Sequence, residues 1–481
     1  MQTSSSSATP SQQKDSSWQQ YAQLDYAVGK LTEALQKAEQ FLQGTGSKKL
    51  DLWEIWSFVV PFTCDIDPFL WLRMCGSAPR LYWSNRDGSF VSATWGISYC
   101  VPHTLNNEHG MRVLRQVLPL LNQTHTYHVL PFDTAQTMTP MWQPFSNACL
   151  FVPMLQLVYT NSAWRLHCIP FFGKETQAAL ACTKQILQQL PCMLQRVDPP
   201  TAATATWSLS QQLPQQSHWH NSITQALHSI ACNDMHKVVL ARQHILQSHS
   251  QQVDPLQLFL QLKQHAPQHG YCFFWQPNAD QAFMGFSPER LYARQQNLLH
   301  TEAVAGTRPL GSDAAQNARW RQELLASTKD ANEQQQVTEF LQRALSRFCC
   351  DRHVDERTVL SAGNVQHLVT RLRGTINSHA TDADILSCLH PTPAVCGNPR
   401  SQAKAFIAQQ EGFDRGYYSG TMGYVTKQQA EFAVAIRTAL LNKNQLHVFA
   451  GAGVVAGSDP VSEWEETHTK MGIFNHLLDG S

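Results

Sequence analysis

"GAGVVAGSDPVSEWEETHTK" occupies residues 451–470 of a 481-residue chain, and two architectures compete for it. The glycines fit the loose form of a dinucleotide-binding loop, GxGxxA, with Ala456 in the third place. Such a loop needs a strand before it, a helix after it, and a second parallel strand ending in an acidic residue roughly 20 positions on. "LHVFA" at 446–450 supplies the first strand, but only Ser458–Ser481 follow, and the helix uses most of them. No second strand can be completed, and the nucleotide reading fails there. What remains is a glycine-rich turn whose backbone N–H groups can approach a carboxylate, followed by a helix. Asp459 is placed to cap that helix and Pro460 to open it. Glu463, Glu466 and Lys470 then fall at i, i+3 and i+7 on one face, in a row continued by Ile473, Phe474 and Leu477. Periodicity leaves two alternatives open: an exposed Glu466–Lys470 pair supporting the helix, or a buried set that holds a ligand.

A second helix repeats the oddity. In "LLASTKDANEQQQVTEFLQRAL" (324–345), Glu333 shares a stripe with Val337, Phe340 and Leu341. A glutamate in an apolar row needs an ion-pair partner or a cation. Two such helices can clamp one Mg²⁺, which prefers hard oxygen ligands and keeps waters plus an anionic group of the ligand. In "HKVVLARQ" (236–243), Lys237 shares a strand face with Val239 and Ala241. It is either an edge lysine in solvent or a desolvated amine able to act as a base near neutrality. Glu289 follows a proline in "GFSPERLYAR" (285–294). Taken alone it is an ordinary solvated or paired carboxylate.

The composition sets the frame. The chain is 43% hydrophobic and 15% charged, against roughly 25% charged on average, which favours a large buried core. Lysine plus arginine equal aspartate plus glutamate at 36 each, so no global charge points to nucleic acid or to a membrane surface. The Ser/Gln-rich start has no apolar segment to act as a secretory signal, and no run approaches the roughly 18 apolar residues of a membrane helix. Thirteen cysteines without a CxxC pair read as reduced thiols. A cytoplasmic protein is expected.

Along the chain, residues 1–17 read as a disordered tail, 18–215 as an N-terminal part, and 216–476 as a catalytic region, all but the tail in one compact unit. Trp18–Leu42 has helical spacing. "LYWSNRDGSFVSATWG" (81–96) carries the Asp-Gly signal of a hairpin, and Asn161-Ser162 sits in the turn of another. Residues 174–190 and 316–347 are expected to be helices, with strands at about 421–439 and 445–450. Polar, proline-bearing 195–217 marks an internal boundary. Hairpin-like turns between strands predict an α+β type of α/β protein: large mixed or antiparallel sheets, layered and flanked by helices.

"KVVLAR", "FMGFSPERL", "TEAVAGTRPLG", "KDANEQQQV", "HPTPAVCG", "FDRGYYSGTMGYV", "FAVAIRTALL" and the 451–470 segment occur in one order. That order resembles the chorismate-utilising enzymes over about residues 217–475. The resemblance implies a deep site between stacked antiparallel sheets and a requirement for Mg²⁺. It implies Glu333 and Glu466 as metal ligands with Glu463 near them. It implies Tyr418, Arg437, Gly451, Lys470, Thr307 and His390 as contacts to chorismate, Lys237 as base and Glu289 as acid. Arginine suits carboxylates because its planar fork pairs two oxygens at once.

Within the family, a lysine at 237 points to water as the nucleophile, whereas the ammonia-using, anthranilate-type enzymes resemble one another in having a non-basic residue at that place. "TEAVAGT" (301–307) is most similar to isochorismate synthases, and "VPFTCDIDPFLWL" and "PRLYWSNRDG" resemble the menaquinone branch. Siderophore-pathway enzymes and salicylate synthases are the alternatives; the latter tend to carry proline where Ala303 stands. The chemistry requires the amine shifted down from about 10.4 and the acid shifted up from about 4.3. No glutaminase subunit is expected, and the chain is expected to work as a monomer or homodimer.

Overall fold

The computed structural model describes residues 58–478 apart from 102–124, 170–204 and short breaks at 63–64, 77, 136–137, 147–149, 268, 312 and 363–364, together with part of 22–36. The expected tail at 1–17 and the expected helix at 174–190 lie outside the described residues. Of the helix expected over 18–42, residues 22–23, 26–27, 29–34 and 36 are described, and they are helical.

The chain forms two compact units where one was expected. The first comprises Met1–Ser84, Gly88–Tyr99 and Val152–Thr201, and the second Asn85–Asp87, Cys100–Phe151 and Ala202–Ser481. The second therefore claims a stretch well before 216. The cause is long-range pairing: Thr126–Leu130 adds edge to edge onto Thr421–Val425, with Thr126 opposite Val425. Local sequence carries no trace of such a partner.

In the first unit, Arg80–Ser84 and Val91–Val101 form the expected hairpin, with Gly88 at φ 69° in its turn. Leu150–Thr160 and Ala163–Cys168 form another. Its turn residues Asn161 and Ser162 both have positive φ, 51° and 57°, as a two-residue hairpin loop of the favoured hand requires.

The second unit holds two antiparallel runs of strands. One runs Trp207–Leu213, Lys237–Ser248, Gln445–Val454, Thr438–Asn442, Gln281–Ser287, Tyr271–Asn278. The other runs Thr126–Leu130, Thr421–Val425, Gln429–Val434, Arg290–Gln295, Leu298–Pro309, Val365–Ile376. Val365–Ile376 also carries Cys349–Val354 and Thr358–Ala362. The chain passes between the runs at 288–289 and again at 435–437. These two crossings are tied together: Phe286 N–H donates to Arg437 O at 3.1 Å and Val434 N–H to Glu289 O at 3.1 Å.

Helices cover the outer faces. Val337, Leu341 and Leu345 of Thr328–Leu345, with Ile385 and Leu389 of Asp382–Leu389, pack on Leu291, Leu299 and Leu372 of the second run. Trp219 and Ile223 of Gln216–Ala231, with Ala403 and Ile407 of Arg400–Gln410, pack on Val238, Leu240, Ala452 and Val454 of the first.

Three expectations need correction. The helix over 316–347 is two, Ala314–Ala326 and Thr328–Leu345, broken at extended Ser327, whose hydroxyl accepts from Asp330 N–H at 3.2 Å. Serine is a strong N-cap, and it restarts the helix after one extended residue. The strand over 421–439 is a hairpin plus the start of a third strand, turned at Thr426, whose hydroxyl accepts from Gln429 N–H at 2.8 Å. The glycine-rich "GAGV" is strand rather than turn: Gly451 pairs with Ala241 and Gly453 with Val239. Small residues are needed there because side chains approach from the inner face.

Beyond Gly397–Asn398, the edge of the Lys237 strand is closed by an ion pair. Glu411 accepts from Ala241 N–H at 2.7 Å, while Arg415 donates to Val239 O at 2.7 Å, Val395 O at 2.9 Å and Glu411 Oε2 at 2.7 Å. Both side chains are buried. Arg415→Ala leaves a buried carboxylate and two carbonyls short of partners, and is expected to cost about 3–5 kcal/mol, read as a lowered denaturant midpoint with an unchanged slope.

Candidate active site

The two crossings and the inner strands around them enclose one cleft of about 720 Å³, its open mouth included. Glu289 lines it from the first crossing and Arg437 from the second. Glu333 and Glu466 enter from separate helices, and Lys470 follows Glu466 one turn later.

Lys237 stands behind Glu333. Its side chain has no exposed surface, and Nζ donates to Glu333 Oε1 at 2.9 Å. Gly453 makes that contact possible: a Cβ there would lie 2.4 Å from Glu333 Oε1 and 3.1 Å from Lys237 Cε. Glu289 is buried, and loss of hydration pushes its carboxyl up to about 7. The positive charges of Lys237, Arg86 and Lys470 pull it down, and Glu302 pushes it further up. A carboxyl poised there is a proton donor near neutral pH.

The cationic side is built as firmly. Lys470 Nζ donates to Gly451 O at 2.9 Å and to Glu466 Oε1 at 2.7 Å. Burial works against its ammonium, but the charges of Glu466 and Glu333 overcome that and raise its pKa. The same pairing works in reverse on Glu466: burial raises it, and Lys470 more than offsets the rise and lowers it. Arg437 adopts φ 52°, a left-handed conformation that costs a non-glycine residue energy and clusters at functional sites. Burial lowers its guanidinium to about 10, still charged at neutral pH. Tyr418 is buried, stacked on Phe449 at 5.2 Å, and burial raises its pKa, keeping it a phenol.

The chorismate-binding enzyme family matches residues 36–479. The chain belongs to the chorismate-binding enzymes. It is 31% identical over 419 residues to "Isochorismate synthase, chloroplastic" of Catharanthus roseus, covering 84% of this chain and 71% of that one. It is 36% identical over 274 residues to the isochorismate synthase MenF of Haemophilus influenzae, a match that spans 63% of that relative's length. With MenF of Escherichia coli it shares 30% over 421 residues, 87% of this chain and 92% of the relative. The solved structure of that menaquinone-specific isochorismate synthase superposes with TM-score 0.78 at 28% identity, covering 93% of this chain and 99% of the other. The large antiparallel sheets with flanking helices are thus the chorismate-binding enzyme fold.

Among the residues expected at the site, Glu289, Thr307, Glu333, Tyr418, Arg437, Gly451, Glu466 and Lys470 line the cleft together, with Lys237 against Glu333. Two lie elsewhere. His390 is buried with Nε2 3.0 Å from Pro131 O, outside the lining; this chorismate-binding enzyme presents Ala394 and Val395 of the same motif instead. Glu463 is buried and paired with Lys329 at 2.7 Å, also outside the lining. Burial and the charge of Glu466 raise its pKa. That pair joins the two carboxylate-bearing helices.

His367 was missed. It lines the cleft, and its Nδ1 lies 3.1 Å from Gly306 O and 3.2 Å from Thr307 Oγ1. A carbonyl only accepts, so Nδ1 carries the proton and Nε2 faces Arg437 Nη2 at 3.4 Å. Burial, helped by Arg437, lowers His367 to about 3 and keeps it neutral. Gly306, at φ 70° in a bulge between Ala305 and Thr307, brings Thr307 into register with His367. A lone histidine in "VQHLV" offers no signal of this; the "AGT" bulge glycine does.

Glu333 and Glu466 offer hard oxygen donors to one cleft from two helices. Among the described residues no cluster of three or more His, Cys, Asp or Glu forms a metal site. Two carboxylates with the remaining positions left to water and an anionic ligand fit Mg²⁺, and do not fit zinc. Gly453→Ala is expected to push Glu333 off Lys237 and lower turnover by about 10²-fold, with the far-ultraviolet circular dichroism unchanged. Wild-type turnover in that variant would show that the Lys237–Glu333 contact is dispensable.

Proposed function

We infer that this chain is an isochorismate synthase, an isomerase that adds water at C2 of chorismate with loss of the C4 hydroxyl. The observation that supports this best is a buried carboxyl, Glu289, pushed up to about 7 in a cleft that also carries Arg437 and Lys470, with the buried amine of Lys237 held against Glu333 of the lining. Lys237 is the base that takes a proton from the attacking water. The water oxygen bonds to C2, the ring double bonds shift, and the C4–O bond breaks. Glu289 donates its proton to the departing hydroxyl, which leaves as water. Substrate and product have the same composition. Arg437 and Lys470 hold the ring and side-chain carboxylates, which fixes the substrate between acid and base. Glu333 and Glu466 would hold Mg²⁺, which would supply positive charge beside the substrate's carboxylates. Likeness to MenF over nearly its whole length favours the menaquinone branch.

The enzyme acts on small-molecule chorismate without a glutaminase subunit, in the cytoplasm, as a monomer or homodimer. No described helix is long and apolar enough to cross a membrane.

Chorismate and Mg²⁺ are expected to yield isochorismate in ammonia-free buffer with no release of pyruvate. Pyruvate without an added lyase would assign the chain to salicylate synthesis instead, and an absolute need for ammonia would exclude both. Lys237→Ala and Glu289→Gln should each lower kcat about 10²–10⁴-fold with little change in KM. Because Glu289 must be protonated to act, kcat/KM should fall as pH rises through about 7, a limb lost in Glu289→Gln. Glu466→Gln should raise the Mg²⁺ concentration needed for half-maximal activity and weaken Mg²⁺ binding by calorimetry.

A further inference from the structure

Next to Glu289 in the chain, around Arg290, lies a part-buried charge cluster that the reaction above does not use. Arg86, from the "NRDG" turn, donates from Nη1 to both carboxylate oxygens of Glu302, at 2.8 and 3.1 Å. Glu302 belongs to the strand Leu298–Pro309, in which Val304 and Ala305, two and three positions on, line the cleft. That strand is locked to the one following Glu289: Thr301 Oγ1 donates to Leu291 O at 2.6 Å. Arg290, the residue after Glu289, reaches Glu302 at 3.4 Å and Glu431 at 3.2 Å, and its Nε donates to Tyr271 Oη at 2.9 Å. Arg86 lies over the Tyr271 ring at 5.2 Å. Its Nε and Nη2 are buried without a hydrogen-bond partner among the described residues, so Glu302 is the group that neutralises it.

We propose that Arg86 and Glu302 are positioning residues for Glu289, a part-buried ion pair that holds the surroundings of the proton donor near electrical balance. This rests on the reading of Glu289 as the acid. Four charged groups act on Glu289: Lys237 from its strand, Lys470 from the last long helix, Arg86 from the "NRDG" turn and Glu302 from the strand Leu298–Pro309. Lys237 and Lys470 are engaged by Glu333 and Glu466. Arg86 and Glu302 oppose one another, so losing either unbalances the donor in a direction set by the sign of the survivor. Without Glu302, Arg86 favours carboxylate and the donor is lost at neutral pH. Without Arg86, Glu302 favours the acid, which persists to higher pH.

The test is the pH profile of kcat/KM for the full chain, with chorismate and saturating Mg²⁺. Glu302→Gln is expected to move the limb assigned to Glu289 to lower pH, by about one pH unit. Arg86→Gln should move it upward by a similar amount, and the double variant should return it close to wild type. Arg86→Lys, which keeps the charge, should leave it in place. A structural role alone would lower activity in both single variants without opposite displacements. Shifts in the same direction, or none in folded variants, would overturn the proposal. Infrared titration of the protonated carboxyl band, assigned by its loss in Glu289→Gln, reads the same displacements without turnover. Should Glu289→Gln keep wild-type kcat, the acid assignment fails, while the infrared titration still decides whether the pair acts on Glu289.

Discussion

Two backbone crossings, hydrogen-bonded to each other, carry the geometry of this site. At 288–289 and 435–437 the chain leaves one antiparallel run for the other, and the bonds Phe286 N–H to Arg437 O and Val434 N–H to Glu289 O hold the crossings together. The backbone at such a point cannot shift without breaking strand pairing on both sides, so it holds its side chain at the cleft. Glu289 and Arg437 occupy these places. The left-handed backbone of Arg437 is the strain that the arrangement stores, and it persists because both flanking strands over-determine it.

Around that frame, charge is placed in opposed pairs. Lys237 meets Glu333, Lys470 meets Glu466, Lys329 meets Glu463, Arg86 meets Glu302 and Arg415 meets Glu411. Buried ion pairs contribute little net stability, because desolvation offsets most of their attraction. Their effect is positional. Lys329–Glu463 fixes one carboxylate helix against the other, and Arg415–Glu411 pins the edge of the Lys237 strand. Glu289 stands apart from this scheme. Among the described residues it forms no ion pair, and burial pushes its carboxyl up to about 7.

Much of this was legible in the chain. Asp459 and Pro460 open the last long helix as their types require, with Asp459 accepting from Ser462 N–H at 2.8 Å. The glutamates in apolar stripes, Glu333 and Glu466, do reach a common cleft. The failures have local causes. "GAGV" has the composition of a turn, yet it extends a strand by pairing with Val239–Ala241, and its glycines are there because Glu333 and Lys237 crowd its inner face. Ser327 splits a helix whose periodicity runs on unbroken, since a cap acts through one hydroxyl rather than through a pattern. His390 shares its motif with the cleft residues Ala394 and Val395, but its ring turns to Pro131.

The order of chemical groups along the chain, its hairpin turns, its caps and the family to which it belongs follow from the amino-acid sequence, because these depend on neighbours within a few residues or on motif identity. Which carboxylates face the cleft, which histidine joins them, and which charge stands behind the acid were decided by tertiary structure. Each of those depends on contacts between segments far apart in the chain: 96 positions separate Lys237 from Glu333 and 216 separate Arg86 from Glu302. No local period encodes such a distance. Only the pairing of whole strands brings the groups together.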